Sequence, residues 1–94
     1  MPLFWQFLDK ETKEPVHLQR IDDEIREDLG LPPDSKNYSQ EYDIITTAGS
    51  SIFANGKFNE ETFNSIFKDN PKLAVVARKY YCEKYQFICG YVRH

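Results

Sequence analysis

The 94-residue chain has no apolar run long enough to cross a bilayer, because its aromatic opening, Met1-Pro2-Leu3-Phe4-Trp5-Gln6-Phe7-Leu8, meets charge at Asp9. That opening also lacks the basic leader of a secretory signal, so a cytoplasmic protein with no membrane attachment is expected. Glycine is scarce and scattered, at 30, 49, 56 and 90. No glycine-rich phosphate loop can be built from such spacing, and nucleotide binding of that kind has no support. The two cysteines, Cys82 and Cys89, are too few for a disulfide scaffold and are expected to be free thiols. Internal repeats, low-complexity runs and a dividing linker are also missing, which leaves one domain over residues 1–94.

Aromatic residues are abundant instead: seven Phe, six Tyr and one Trp. Each buries a large area, which helps a chain this short reach a stable core. The net charge of −3 hides an uneven distribution. Residues 1–43 carry five Lys/Arg against eleven Asp/Glu, and residues 44–94 carry seven against four.

The segment 70–92 organises the expected fold. Asn70 can cap a helix whose first turn accepts Pro71. Leu73, Val76, Ala77, Tyr80 and Tyr81 follow at three- and four-residue steps, and the run 86–92 then reads as a strand. At the other end Leu3–Leu8 suits a strand, 9–13 a hairpin loop, and 14–18 a returning strand that Pro15 confines to a sheet edge. The expectation is an α+β fold: a three-stranded sheet, made of an N-terminal hairpin with its first strand central and the C-terminal strand beside it, packed by about four helices. The first helix carries Leu18, Ile21, Ile25 and Leu29 on one face and stops at Gly30 before Pro32-Pro33. Tyr42, Ile45, Gly49, Ile52 and Phe53 favour a helix over 39–54, with a strand at 42–47 as the alternative. Asn59 caps a third helix in which Phe58 staples onto Phe63, and Phe63, Ile66 and Phe67 face inward.

Three sets of residues could carry function. Cys82, Cys89 and His94, with His17, give C-x6-C-x4-H, but the tight knuckle of a structural zinc site is missing and no cofactor is implied. A small metal- or thiol-dependent enzyme using Cys82, Cys89 and His17 is one alternative, since such groups can meet in space. The weightier reading makes the cysteines small buried apolar groups. Lys72, Arg78, Lys79, Lys84 and Arg93 interleave with Tyr80, Tyr81, Tyr85 and Tyr91, a pattern able to bind single-stranded nucleic acid. The sequence pI near 5.3 and the need for those tyrosines in the core argue against it. The third set is the acidic helix, whose Asp23, Glu24, Glu27 and Asp28 lie on the solvent side and could dock on a basic partner. Tyr38 joins them as an exposed aromatic, and Phe4, Tyr81 and Tyr85 are expected to be exposed as well.

The opening W-Q-F-L-D-K-E-T-K-E-P-V-H-L followed by I-D-D-E-I combines an aromatic strand, a D-x-x-T-x-E turn and an acidic helix. Together with the Tyr-rich strand at Tyr85-Gln86-Phe87, it resembles small uncharacterised proteins of phage and prophage genomes. The resemblance implies an accessory role and carries over no catalytic or binding residue. The sequence therefore points to a non-enzymatic protein that binds another protein or a second copy of itself, and the resemblance implies a host-interacting role for it.

Overall fold

The computed structural model describes residues 3–91, with side chains from Trp5 to Ile88. Both ends of the chain form strands, β1 (Leu3–Asp9) and β2 (Tyr85–Tyr91), which pair antiparallel with Phe7 opposite Phe87 and Trp5 opposite Cys89. Four α-helices run between them: α1 (Leu18–Leu29), α2 (Gln40–Ile52), α3 (Glu60–Phe67) and α4 (Pro71–Arg78). Helix α4 continues into a π-helical turn, Lys79–Glu83, that leads into β2. The Trp5 and Phe87 rings stack with centroids 6.2 Å apart, which joins the two chain ends through side chains as well as backbone.

The class is α+β as expected, but the sheet has two strands and not three. The returning segment makes a single bridge, Pro15 opposite Leu8. On either side of it Asp9 N donates to the Glu14 carbonyl and Val16 N to the Phe7 carbonyl, both at 2.9 Å. Pro15 thus occupies the place in the pair where no N–H is required. His17 then leaves the sheet edge to cap α1, its Nδ1 accepting from Gln19 N, so no further ladder can grow.

The helix over 39–54 forms, and the strand alternative at 42–47 does not. Ser39 Oγ accepts from Tyr42 N as the cap, and Thr46 Oγ1 donates back to the Tyr42 carbonyl, which suits the branched residue to a helix. Asn59 and Asn70 cap α3 and α4 through Thr62 N and Leu73 N. The Phe58 and Phe63 rings lie 5.3 Å apart, consistent with the expected staple.

The core joins the inner sheet face to the helices. Phe7 and Phe87 meet Phe53, Tyr81, Phe63 and Phe67, while Ile21, Ile25, Ile45 and Ile52 close the side toward α1 and α2. Tyr81 and Tyr85, expected at the surface, are fully buried. The π-helical turn carries Tyr80 and Tyr81 inward together, and Tyr85 stacks on Tyr80 with centroids 5.5 Å apart. Phe4 lies outside the described side chains. Ile66, expected to face inward, is 42% exposed: α3 is only two turns long and buries Phe63 and Phe67 instead.

Candidate functional site

Helix α1 sorts its five carboxylates into two groups. Asp22 is fully buried beside the Ile21–Ile25 stripe, where its Oδ2 accepts from Arg26 Nε at 2.8 Å. Its Oδ1 accepts from both the backbone N and the hydroxyl of Ser39, each at 2.8 Å, which ties α1 to the cap of α2. Burial alone would raise this carboxyl; the bonds from Ser39 and Arg26 outweigh it and hold the group below the ordinary range.

Glu24 and Asp28 are also spent within the molecule. Glu24 meets Lys84 Nζ at 2.6 Å and accepts from the Tyr85 hydroxyl. Burial pushes Glu24 up, but the bonds from Lys84 and Tyr85 bring it below its usual value. Asp28 accepts from Lys79 Nζ and from the Tyr80 hydroxyl, both at 2.8 Å. These two residues fasten α1 to the π-helical turn and the start of β2, so they are not free for docking as the sequence suggested.

Asp23 and Glu27 are exposed and make no ion pair among the described residues. Both line a groove of about 520 Å³ between α1 and the segment 31–35, with Asp34 contributing a third carboxylate. The remaining lining is Gln19, Arg26, Ser35 and the apolar Leu31 and Pro33, and most of the surface exposed in the groove comes from apolar atoms.

Arg26 fixes the far side of this groove. Besides Asp22, its guanidinium donates to the carbonyls of Pro32 at 2.9 Å and Asn37 at 2.6 Å, and so straps the loop 30–38 against the helix. Gly30 at φ 70° ends α1 in the left-handed conformation, and Leu31 N returns to the Arg26 carbonyl at 2.8 Å. Lys36 N donates to Asp34 Oδ1, which tightens the loop's turn. Tyr38 at the end of the loop is 42% exposed and stacks on Tyr42 at 4.4 Å, outside the groove lining.

Of the sequence-predicted site residues, the structure therefore brings Asp23 and Glu27 into one groove, places Glu24 and Asp28 in internal ties, and leaves Tyr38 to one side. Asp34, Leu31 and Pro33 were not anticipated. A loop that Gly30 and Pro32-Pro33 turn back along an acidic helix was the available signal.

The other candidate chemistries fare differently. Cys82 Sγ donates to the Arg78 carbonyl at 3.6 Å, and burial raises the thiol above its usual value. His17 is exposed and engaged as the α1 cap. The Cys89 side chain and His94 lie outside the described residues. Among the described residues, no three His, Cys, Asp or Glu side chains gather in a way that could hold a metal ion. Tyr80, Tyr81 and Tyr85 have no exposed ring face for a base to stack on. Arg78, Lys79 and Lys84 are paired with Glu60, Asp28 and Glu24. Lys72 is exposed, and the side chains of Tyr91 and Arg93 lie outside the described set. No helix among the described residues is long and apolar enough to cross a membrane.

No family model, curated protein or solved structure matches the chain.

Proposed function

We propose that this is a non-enzymatic accessory protein of the cytoplasm that acts by binding another protein through the groove between α1 and the loop 30–38. The observation that carries this reading is the pair Asp23 and Glu27. They are one helical turn apart, alike in charge and without an ion pair among the described residues, and they border a groove that also holds Leu31 and Pro33. Arg26 acts on Asp23 only through space, and Gln19 Nε2 donates to Asp23 Oδ1 at 3.2 Å. Like charges at this spacing cost a few tenths of a kcal/mol in an isolated chain, a cost that a basic partner removes. The three other carboxylates of α1 are paired internally, so the free ones concentrate where the apolar lining is. The resemblance to small phage and prophage proteins adds an accessory, host-interacting role to the same reading.

Affinity capture from the native host tests it. The double charge reversal Asp23→Lys/Glu27→Lys should abolish recovery of the partner while the far-ultraviolet dichroism and melting profile stay those of the parent. Equal recovery by parent and variant would remove the groove from consideration as the binding surface.

A further inference from the structure

The groove also specifies the kind of partner. Building on the protein-binding reading above, we propose that its occupant is a basic amphipathic helix of another protein, which seats a bulky apolar side chain against Leu31 and Pro33 and sets Lys or Arg against Asp23, Glu27 and Asp34.

Charge gives the first argument. Arg26 lies in the groove wall, but its guanidinium is compensated by the buried Asp22 carboxylate and held on two carbonyls. The groups around the groove left without an ion pair among the described residues are the three carboxylates, and Arg26, already neutralised by Asp22, offsets Asp23 and Asp34 only through space. Their field favours a cationic occupant and rejects an acidic one.

Spacing gives the second. Asp23 and Glu27 stand one turn apart on a straight element, about 6 Å between their Cβ atoms. Cations repeating at one turn of a partner helix meet both. No group of three His, Cys, Asp or Glu side chains that could hold a metal ion forms among the described residues.

The lining gives the third. A purely acidic face would bind weakly and lose most of its grip in salt. Leu31 is half-buried and Pro33 exposed, and with the neighbouring stems they offer apolar area for one anchoring side chain. The wall is also formed in advance: Arg26 straps the loop, so little ordering remains for binding to supply.

The test uses the full chain and a synthetic, amidated 15-residue helix-forming peptide with one Trp flanked by Lys at i−4, i−1, i+3 and i+7. Binding is followed by peptide fluorescence and by backbone amide shifts of the protein. The expected result is saturable binding, with the largest shifts at residues 23–35. Affinity should fall at least tenfold for Asp23→Asn/Glu27→Gln, at least fivefold for Leu31→Ser, and severalfold between low and physiological salt. A peptide with Glu in place of Lys should not bind.

Several outcomes overturn the inference: no saturation by the basic peptide, equal binding by the Leu31→Ser variant, or shifts centred elsewhere. Concentration-dependent dimers that dissolve with the same substitutions would also overturn it, making a second copy the occupant. If the peptide fails while Asp23→Lys/Glu27→Lys still loses the captured cellular partner, only the partner's chemistry is wrong. If both fail, the protein-binding reading falls with it.

Discussion

The ring of Phe87 lies where a side chain on Gly49 would begin: a Cβ built on Gly49 comes 2.7 Å from Cζ and 2.8 Å from Cε1 of Phe87. Helix α2 reaches the sheet this closely because one of its residues has no side chain at the contact. Phe87 is itself held between Phe7 on β1 and Phe53 after α2, with centroids 5.2 and 5.3 Å away, so the ring has little room to yield.

Replacing Gly49 by Ala should therefore destabilise the protein although Ala is the better helix former. The propensity gain is about 1 kcal/mol, and overpacking a filled core costs about 1–3 kcal/mol. Urea denaturation of Gly49→Ala should show a lower midpoint at unchanged slope. Combining it with Phe87→Leu should cost less than the sum of the two single changes. A gain in stability for Gly49→Ala would show that the ring moves freely.

Asp22 should be the least replaceable carboxylate of α1. Asp22→Ala removes the acceptor of the Ser39 amide and hydroxyl and of Arg26 Nε, while Arg26 keeps its two carbonyls, and should cost about 1–3 kcal/mol. Asp23→Ala, on the exposed side of the same helix, should stay within about 0.5 kcal/mol of the parent. Equal effects of the two substitutions in thermal melts would contradict the buried network.

Acid sensitivity follows from the same group. The folded Asp22 and Glu24 carboxyls are held below their usual values, so their contribution is present in full above the unfolded pKa values near 4. It is lost as pH falls through the lower folded values. The melting temperature should be nearly flat from pH 7 to 5 and drop below about pH 4. Asp22→Asn should flatten that acid limb. A melting temperature that rises on acidification would reverse the sign and refute the assignment.

At high pH the tyrosines report the core. Burial raises the pKa of Tyr42 and Tyr81, and in Tyr80 and Tyr85 burial is reinforced by bonds to Asp28 and Glu24. These four should not ionise until the fold opens, giving a delayed phase in the ultraviolet titration that coincides with loss of helix signal. A smooth titration of all six tyrosines near pH 10, with helix signal intact, would contradict their burial.

Much of the fold could be read from residue order, and the exceptions have physical causes. The caps Asn59 and Asn70 and the stop at Gly30 are local chemistry, which sequence states directly. The union of β1 with β2 followed from two apolar strands at opposite ends. The third strand failed because Pro15 and the cap at His17 leave one bridge where a ladder was expected. Tyr81 stands four residues after Ala77 on the apolar stripe, so its burial was legible from the helical period, and the expectation of exposure ran against that stripe. In the site, the helical period shows which carboxylates leave the core stripe. It does not show that Lys79 and Lys84, some fifty to sixty residues later, return to claim Asp28 and Glu24. The pair Asp22–Arg26 was visible as an i, i+4 spacing beside Ile21 and Ile25. Its burial depends on the loop 30–38 folding over it.

The most direct test of the central claim is amide hydrogen exchange of the chain alone and in complex with the protein it captures. The groove account predicts slowed exchange in the loop 31–36 and the adjoining turns of α1, with the exposed face at Ile44 and Ile66 unchanged. Protection confined to the Ile44–Ile66 face, with residues 23–35 exchanging as in the free chain, would place the partner elsewhere and contradict the account.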